Sequence, residues 1–378
     1  MGIPIVVNVS WFLMLAFVTS MLALKYYPDF AFAADSPYRD DRVLHWTMAI
    51  FSGVVFFGSI LLHELAHSAV ALKQGIPVKN ITLFMFGGVS QIAGDARRPL
   101  HEFVMAIVGP LCSLLISVTF LAAWWLTGFS DETPVAIVVQ WLFVMNLALA
   151  AFNMAPGFPM DGGRVLRAVI WGVSGNAIGA TRLSTLTGRS IGYSLMILGA
   201  LAFSGMLSGY IPPYNGILFV FLGLYLENAA RQSWVQAKAL DILAKHAAEE
   251  LMKQDLETAT RGERLHYLAS RGGRRFMFFI ADEDERVVGV LTQQELESVP
   301  ESDRGTKTAG EVMLRTDQVP VAMLREDGAS MLQRMDSDAR WHMPVVSDGR
   351  VVGVVSKEDL LRLLAASFFP QTPALGQR

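Results

Sequence analysis

The sequence has almost no cysteine and little charge. Its single cysteine, Cys112, lies in an apolar run, so no internal disulfide can form and no cysteine-based metal site can be built. It reads as a small core residue. Of 378 residues only 17% are charged, against 52% hydrophobic, and the mean hydropathy is +0.39. That balance is far from an ordinary soluble domain and fits a membrane protein with a soluble part. A basic excess is also missing: with net charge -3 and pI near 6.2, the chain carries no general positive field, which argues against nucleic acid as a partner. No lysine or arginine precedes Lys25, and no small-residue cleavage site follows the first apolar run. The N-terminal stretch therefore reads as a retained first span rather than a signal peptide. Val6 stands where myristoylation at Gly2 would need serine or threonine.

Residues 47–72 are long and apolar enough to cross a bilayer, and their only ionisable groups are His63, Glu64 and His67, within LLHELAHSAVAL. Two histidines four residues apart share one helix face, so both imidazoles can reach one metal ion. An H-E-x-x-H pair on a helix is the zincin pattern, with the glutamate as general base. The competing reading is a buried helix whose histidines bond to neighbouring helices, but it does not account for the glutamate between them. Ionisable groups at membrane depth are costly and mark a partner or a wet cavity.

Downstream, ITLFMF, Gly87-Gly88 and VSQI read as a hairpin over residues 82–92, with a plain connecting loop as the alternative. Such a hairpin must lie at the interface or line a protein cavity, where an exposed edge could accept an extended peptide. Phe86, Gly87 and Gly88 are its candidate substrate contacts. A third span begins near Phe103 and a fourth near Pro134; the fourth runs into NMAPGFPMDGGRVLRA, whose prolines and glycines break the helix. Asp161 in that break is the candidate third metal ligand, completing a His₂-carboxylate set with a position left for water. Alternatively it only N-caps the helix that follows. Two further apolar runs, near 191–207 and 217–226, make about six crossings.

Loop charges orient them. Lys73, Lys79, Arg97, Arg98, Arg164, Arg167, Arg182 and Arg189 fall on one side, Lys25, Arg39 and Arg42 on the other, which places both termini in the cytosol. From about Ala237 the composition becomes charged and mixed, and an imperfect repeat appears: FMFFIADEDERVVGVLTQQEL and MPVVSDGRVVGVVSKEDL. Thr292 and Ser356 are placed as helix N-caps, with Glu295 and Asp359 three residues on. The expected division is 1–235 for the membrane part, 236–306 and 307–378 for the two copies. The fold class is a polytopic α-helical membrane protein with a small β-hairpin, followed by a cytosolic α/β tandem domain.

HELAH, FNMAPGFPMDGGRVLRA, GGVSQI and GPLCS together resemble the site-2 protease type of intramembrane zinc metalloprotease, in the subgroup with a C-terminal pair of cystathionine-β-synthase (CBS) domains; the resemblance covers essentially the whole chain. It implies Zn²⁺ on His63, His67 and Asp161, with Glu64 as catalytic base and acid. Asn153 then matches the family's asparagine that holds substrate or stabilises the oxyanion. It implies membrane-anchored protein substrates and a multi-pass location, read as a prokaryotic cell membrane. For the CBS pair it implies adenine nucleotide (ATP, ADP or AMP) with Ser356 and Asp359 on the ribose, Glu295 departing from the pattern in the first copy. A CBS pair serving only in homodimerisation is the alternative there. For the whole chain the alternatives are a CBS-gated ion transporter, which would spread polar groups along a path, and an inactive relative, which would lack a ligand or the base.

Overall fold

The computed structural model describes residues 2–32, 36–85, 87–92, 96, 98–130, 132–271, 276–282, 287–338, 340–348 and 350–368. The chain divides into two compact units, Met1–Val235 and Gln236–Arg378.

In the first unit a short strand, β1 (Ile5–Val7), precedes helix α1 (Val9–Met21), which continues as a π-helical segment over Leu22–Ala31. The sequence reading placed residues 5–7 inside the first span. Instead the β-branched run pairs in parallel with a later strand, and the Asn8 side chain accepts from Ser10 N, so the helix starts at Val9. Helix α2 (Arg42–Lys73) is capped by Asp41, whose side chain accepts from Leu44 N, and ends at Gly75 in the left-handed region. The hairpin is present, as β2 (Val78–Phe84) and β3 (Gly87–Ile92), in register Ile81↔Ser90, Thr82↔Val89 and Leu83↔Gly88. With β1 it makes a three-stranded sheet in the order β1-β2-β3, so β1 covers the outer edge of β2 and the edge of β3 is left open among the described residues. Phe86 lies outside the described residues.

Helices α3 (Pro99–Leu126) and α4 (Pro134–Asn153) each start with proline in the first turn, where its missing N–H costs nothing. After α4 the chain turns through residues 154–160, pinned by Phe158 N donating to Ser184 O (3.1 Å), and re-enters helix as α5 (Asp161–Ser174). α5 ends at Gly175 in the left-handed conformation; α6 (Ala177–Phe203) is capped by Asn176, and α7 (Pro213–Ala244) follows. Among the described residues five helical stretches are long and apolar enough to cross a membrane: Val9–Ala31, Arg42–Lys73, Pro99–Leu126, Pro134–Asn153 and Ala177–Phe203. The sixth apolar run, residues 217–226, occupies part of α7, whose C-terminal half is polar. Large apolar side chains such as Phe12, Phe17, Phe51 and Leu115 stand exposed on these helices, as lipid-facing residues would.

The second unit contains α8 (Ala248–Leu251), β4 (Thr258–Thr260), α9 (Leu265–Arg271), β5 (Met277–Ala281), β6 (Val287–Thr292) and α10 (Gln293–Glu297). The second copy repeats the order with α11 (Ala309–Val312), β7 (Leu314–Arg315), β8 (Ala322–Met323), α12 (Gly328–Ser337), β9 (His342–Ser347), β10 (Arg350–Ser356) and α13 (Lys357–Phe368). The sheets run β4-β5-β6-β7 and β8-β9-β10. The leading segments are exchanged between copies. Ala248 and Leu243 pack in the core of the second copy with Met331, Val345 and Leu360, whereas Ala309 packs in the first with Leu265, Phe278 and Leu296. The bridge Lys253↔Val354 and the β6–β7 pairing are reciprocal versions of the same exchange. Each packed core thus draws a helix from the other side of the boundary expected at residue 306.

Candidate metal centre and active site

His63 and His67 lie one turn apart on α2 and are both buried. Each ring is fixed from behind by α3. His67 Nδ1–H donates to the Met105 carbonyl (2.6 Å), and His63 Nδ1 lies 2.9 Å from Ser113 Oγ. Occupying Nδ1 turns Nε2 of each ring inward, as the outer partners of metal-ligating histidines do. Met105, Gly109 and Ser113 are spaced by four residues, so one face of α3 supplies both supports. Gly109 sits between them: a Cβ there would stand 2.2 Å from His67 Nε2 and 2.7 Å from His63 Nε2. The rings can approach only because this position has no side chain.

Asp161, the first residue of α5, completes the group. Its Oδ2 is 3.1 Å from His63 Nε2 and 3.2 Å from His67 Nε2, and the two Nε2 atoms are 3.2 Å apart. A shared proton could satisfy one of these contacts but not all three. Ligands about 2.0–2.1 Å from a tetrahedral zinc stand about 3.3 Å from one another. Two imidazole nitrogens and one carboxylate oxygen are also the donor types that zinc takes. The residues therefore fit a zinc ion. Among the described residues they form the one cluster of three or more such groups close enough to share a cation.

The helix bearing Asp161 is anchored by a second buried pair. Arg167 Nη1 donates to Glu102 Oε1 (2.8 Å), with the Glu102 side chain only 1% exposed, joining α5 to the same α3 that supports the histidines. Removing one partner of such a pair costs about 3–5 kcal/mol, because the other charge is left buried. The pair therefore fixes the seat of Asp161 more firmly than any surface ion pair could.

A cavity of about 230 Å³ opens at this centre, lined by Glu64, Gly87, Gly88, Ser90, Asn153 and Arg164 beside the three metal-type ligands. Glu64 accepts from Ser90 Oγ at Oε2 (2.9 Å). Asn153, the last residue of α4, reaches the cavity with its amide nitrogen donating back to Leu149 O (3.0 Å). Every described residue singled out from the sequence for the membrane site is thus brought to one cavity. The supports Met105, Gly109, Ser113, Glu102, Arg167 and Ser90 were not read from the sequence. The signals available for them were the four-residue spacing of Met105, Gly109 and Ser113 and the presence of Gly109, Ser113 and Ser90 in GPLCS and GGVSQI.

In the second unit Ser356 caps α13 and its Oγ donates to Asp359 Oδ2, while Lys253 Nζ lies 2.8 Å from Asp359 Oδ1. Burial alone would raise the Asp359 carboxyl, but the hydrogen bonds from Lys253 and Ser356 outweigh it and hold the group below its ordinary range. The formed cavity, about 280 Å³, is instead lined by Phe276, Thr292, Gln294, Arg340, Trp341 and His342, next to the cap of the first copy. There Glu295, the departing residue, is paired with Arg340 at 2.8 Å. Spacing identifies a capping acid, but not which cap has open space beside it.

The profile of peptidase family M50 matches residues 51–130 and 128–198, and that of the CBS domain residues 309–366. A protein of Mycobacterium tuberculosis named "Putative zinc metalloprotease Rip3" is 32% identical over 328 residues, covering 85% of this chain and 82% of that one. The chain belongs to peptidase family M50. A second relative, "Putative zinc metalloprotease sll0528" of Synechocystis sp., is 30% identical over 381 residues, 97% of this chain and 94% of its own. Among solved structures this M50 chain is similar to a "Site-2 Protease from Methanocaldococcus jannaschii", with 26% identity, TM-score 0.42, and coverage of 62% of this chain and 92% of that one. The protein is thus a zinc metalloprotease of the site-2 protease type, carrying CBS sequence, and its long apolar helices fit the membrane.

Proposed function

We propose that the protein is an intramembrane endopeptidase that cuts membrane-anchored proteins in or near their spans, close to the cytosolic side. The observation that carries this reading is the convergence of His63, His67 and Asp161 within 3.2 Å in a cavity that also holds Glu64 and is walled by strand β3. His63, His67 and Asp161 would hold the zinc ion, which when bound would supply Lewis acidity to a water and to the peptide carbonyl. Glu64 takes the proton from the attacking water and returns it to the leaving amine. Asn153 and Arg164, which line the cavity, offer an amide and a guanidinium to the substrate carbonyl as negative charge develops on it. The transporter alternative needs polar groups along a path, whereas these are gathered in one place. The charges of the loops support cytosolic termini.

A transmembrane helix hides its peptide bonds, so the substrate must unwind before it is cut. β3 is the strand available to receive it, since β1 already occupies the other side of the sheet. Ile81 N and Leu83 O are bonded toward β1, so Thr82 pairs with Val89 and it is Ser90 whose backbone N–H faces the open edge. Ser90→Pro is expected to remove most of the cleavage of single-span model substrates that Ser90→Ala retains, in the purified full-length protein, while zinc content stays at the wild-type level. Cleavage undiminished from the Ser90→Ala level would refute strand addition at β3.

For the CBS pair, adenine nucleotide bound between the copies and regulating proteolysis is the reading that family membership supports, with homodimerisation through the same pair. Calorimetric titration of the full-length protein with AMP, ADP and ATP is the check. Asp359→Ala is expected to weaken binding by roughly tenfold, the worth of one hydrogen bond to a charged group. Equal affinity in both proteins would remove Asp359 from the site.

A further inference from the structure

Ser90 lies within GGVSQI and Ser68 directly follows HELAH, yet neither has a role in the sequence reading; Ser90 bonds Glu64, and Ser68 bonds Ser90. Ser90 lies on β3, two residues from Gly88, so the two face the same side of the strand. That side rests on α2. A Cβ at Gly88 would stand 2.4 Å from Glu64 Cγ, so the strand lies directly on the stem of the glutamate. Beyond the stem, Ser90 Oγ donates to Glu64 Oε2 at 2.9 Å, with a longer contact of 3.3 Å to the Glu64 carbonyl. Ser68, fully buried one turn along α2 from Glu64, donates its own hydroxyl to Ser90 Oγ at 3.1 Å.

The direction of these bonds is informative. A serine hydroxyl has one proton and two lone pairs. With Ser68 donating to it, Ser90 has its proton left for the carboxylate, and a hydrogen bond to an ionised acceptor is the stronger kind. One carboxylate oxygen is thereby held, while Oε1 has no hydrogen-bond partner among the described residues and is free for the reaction.

We infer that Ser90, directed by Ser68, is the positioning residue for Glu64, and that β3 therefore registers the substrate and the base together. This rests on the reading of Glu64 as the general base. Its physical content is that the edge able to receive an unwound substrate strand and the hydroxyl that holds the base belong to neighbouring residues of one strand, so a peptide paired with β3 meets a carboxylate fixed by the same backbone.

The test uses the purified full-length protein in detergent with a single-span model substrate, comparing wild type, Glu64→Gln, Ser90→Ala, Ser90→Thr and Ser68→Ala. Ser90→Ala is expected to lower kcat about tenfold, the loss of one hydrogen bond to a charged group, with KM and zinc content unchanged. Ser90→Thr, which keeps the hydroxyl, restores most of the rate, and Ser68→Ala gives a smaller loss of the same kind. A wild-type kcat in Ser90→Ala, or a loss that follows zinc content or KM, overturns the inference in favour of a packing role. If wild type and Glu64→Gln cleave equally, the protease reading itself fails. The contact is then judged separately from infrared difference spectra of protein labelled with ¹³C-glutamate. Ser90→Ala should shift a carboxylate band that is missing in the Glu64→Gln background, and no shift would refute the contact as well.

Discussion

Glu64→Gln is expected to reduce kcat by about 10²- to 10⁴-fold, the usual contribution of a general base, while zinc stays bound in full. The substitution is nearly silent sterically. Glutamine keeps the stem on which Gly88 rests, and its side-chain oxygen can still accept from Ser90. It is not one of the three groups that converge on the metal position, so His63, His67 and Asp161 remain in place. What it cannot do is take a proton. Rates of cleavage of single-span substrates, measured beside the zinc content of both proteins, decide the matter. Retained zinc with lost activity assigns proton transfer to Glu64. Full activity in the variant would remove it as the base, and a parallel loss of zinc would make it a structural part of the metal centre instead.

The features that made this site legible in sequence are those set by spacing along one helix or by a break in one. His63, Glu64 and His67 share a turn of α2, and the helical repeat alone puts the two imidazoles on one face. The prolines and glycines between 156 and 163 announce irregular backbone, which at membrane depth belongs to a cavity. Asp161 was therefore readable as a ligand before its 3.1 and 3.2 Å contacts to the histidines were seen. Other features depended on pairings between distant segments. That residues 5–7 form β1, and so close one edge of the sheet, follows from a parallel partner more than seventy residues later. Glu102 and Arg167 are 65 residues apart, and each alone looks like an ordinary loop-end charge. The exchange of α8 and α11 between the CBS copies is hidden in the same way, because a repeat in sequence reports equivalent segments but not which copy each segment packs against. Ser90 is the most instructive omission. VSQI was read for its strand propensity, and only the tertiary fold shows its serine touching a catalytic group.

The second large effect belongs to a residue with no side chain. Gly109→Ala is expected to lower zinc affinity by more than about a hundredfold, beyond the range for loss of an outer-shell partner, and to remove activity with it. The added Cβ would lie 2.2 Å from His67 Nε2, 2.6 Å from its Cε1 and 2.7 Å from His63 Nε2, so both rings must retreat by about 1 Å to reach ordinary van der Waals separation. They cannot do so independently of α3. The helix that carries Gly109 also carries the Met105 carbonyl and the Ser113 hydroxyl that hold the two Nδ1 atoms, one turn on either side. Moving the rings away from the new methyl group therefore breaks the bonds that aim their Nε2 atoms at Asp161, and displaced donors no longer meet at one point. Gly58 supplies the control. It lies in α2 with open space where its Cβ would be, so Gly58→Ala should leave zinc content unchanged. Zinc retained after dialysis against a chelator, compared between the two variants at equal helicity by circular dichroism, reads out the difference. A Gly109→Ala protein that keeps its metal would mean that the rings have room to move, and the close packing of α3 against the histidines would then be no part of what holds the centre together.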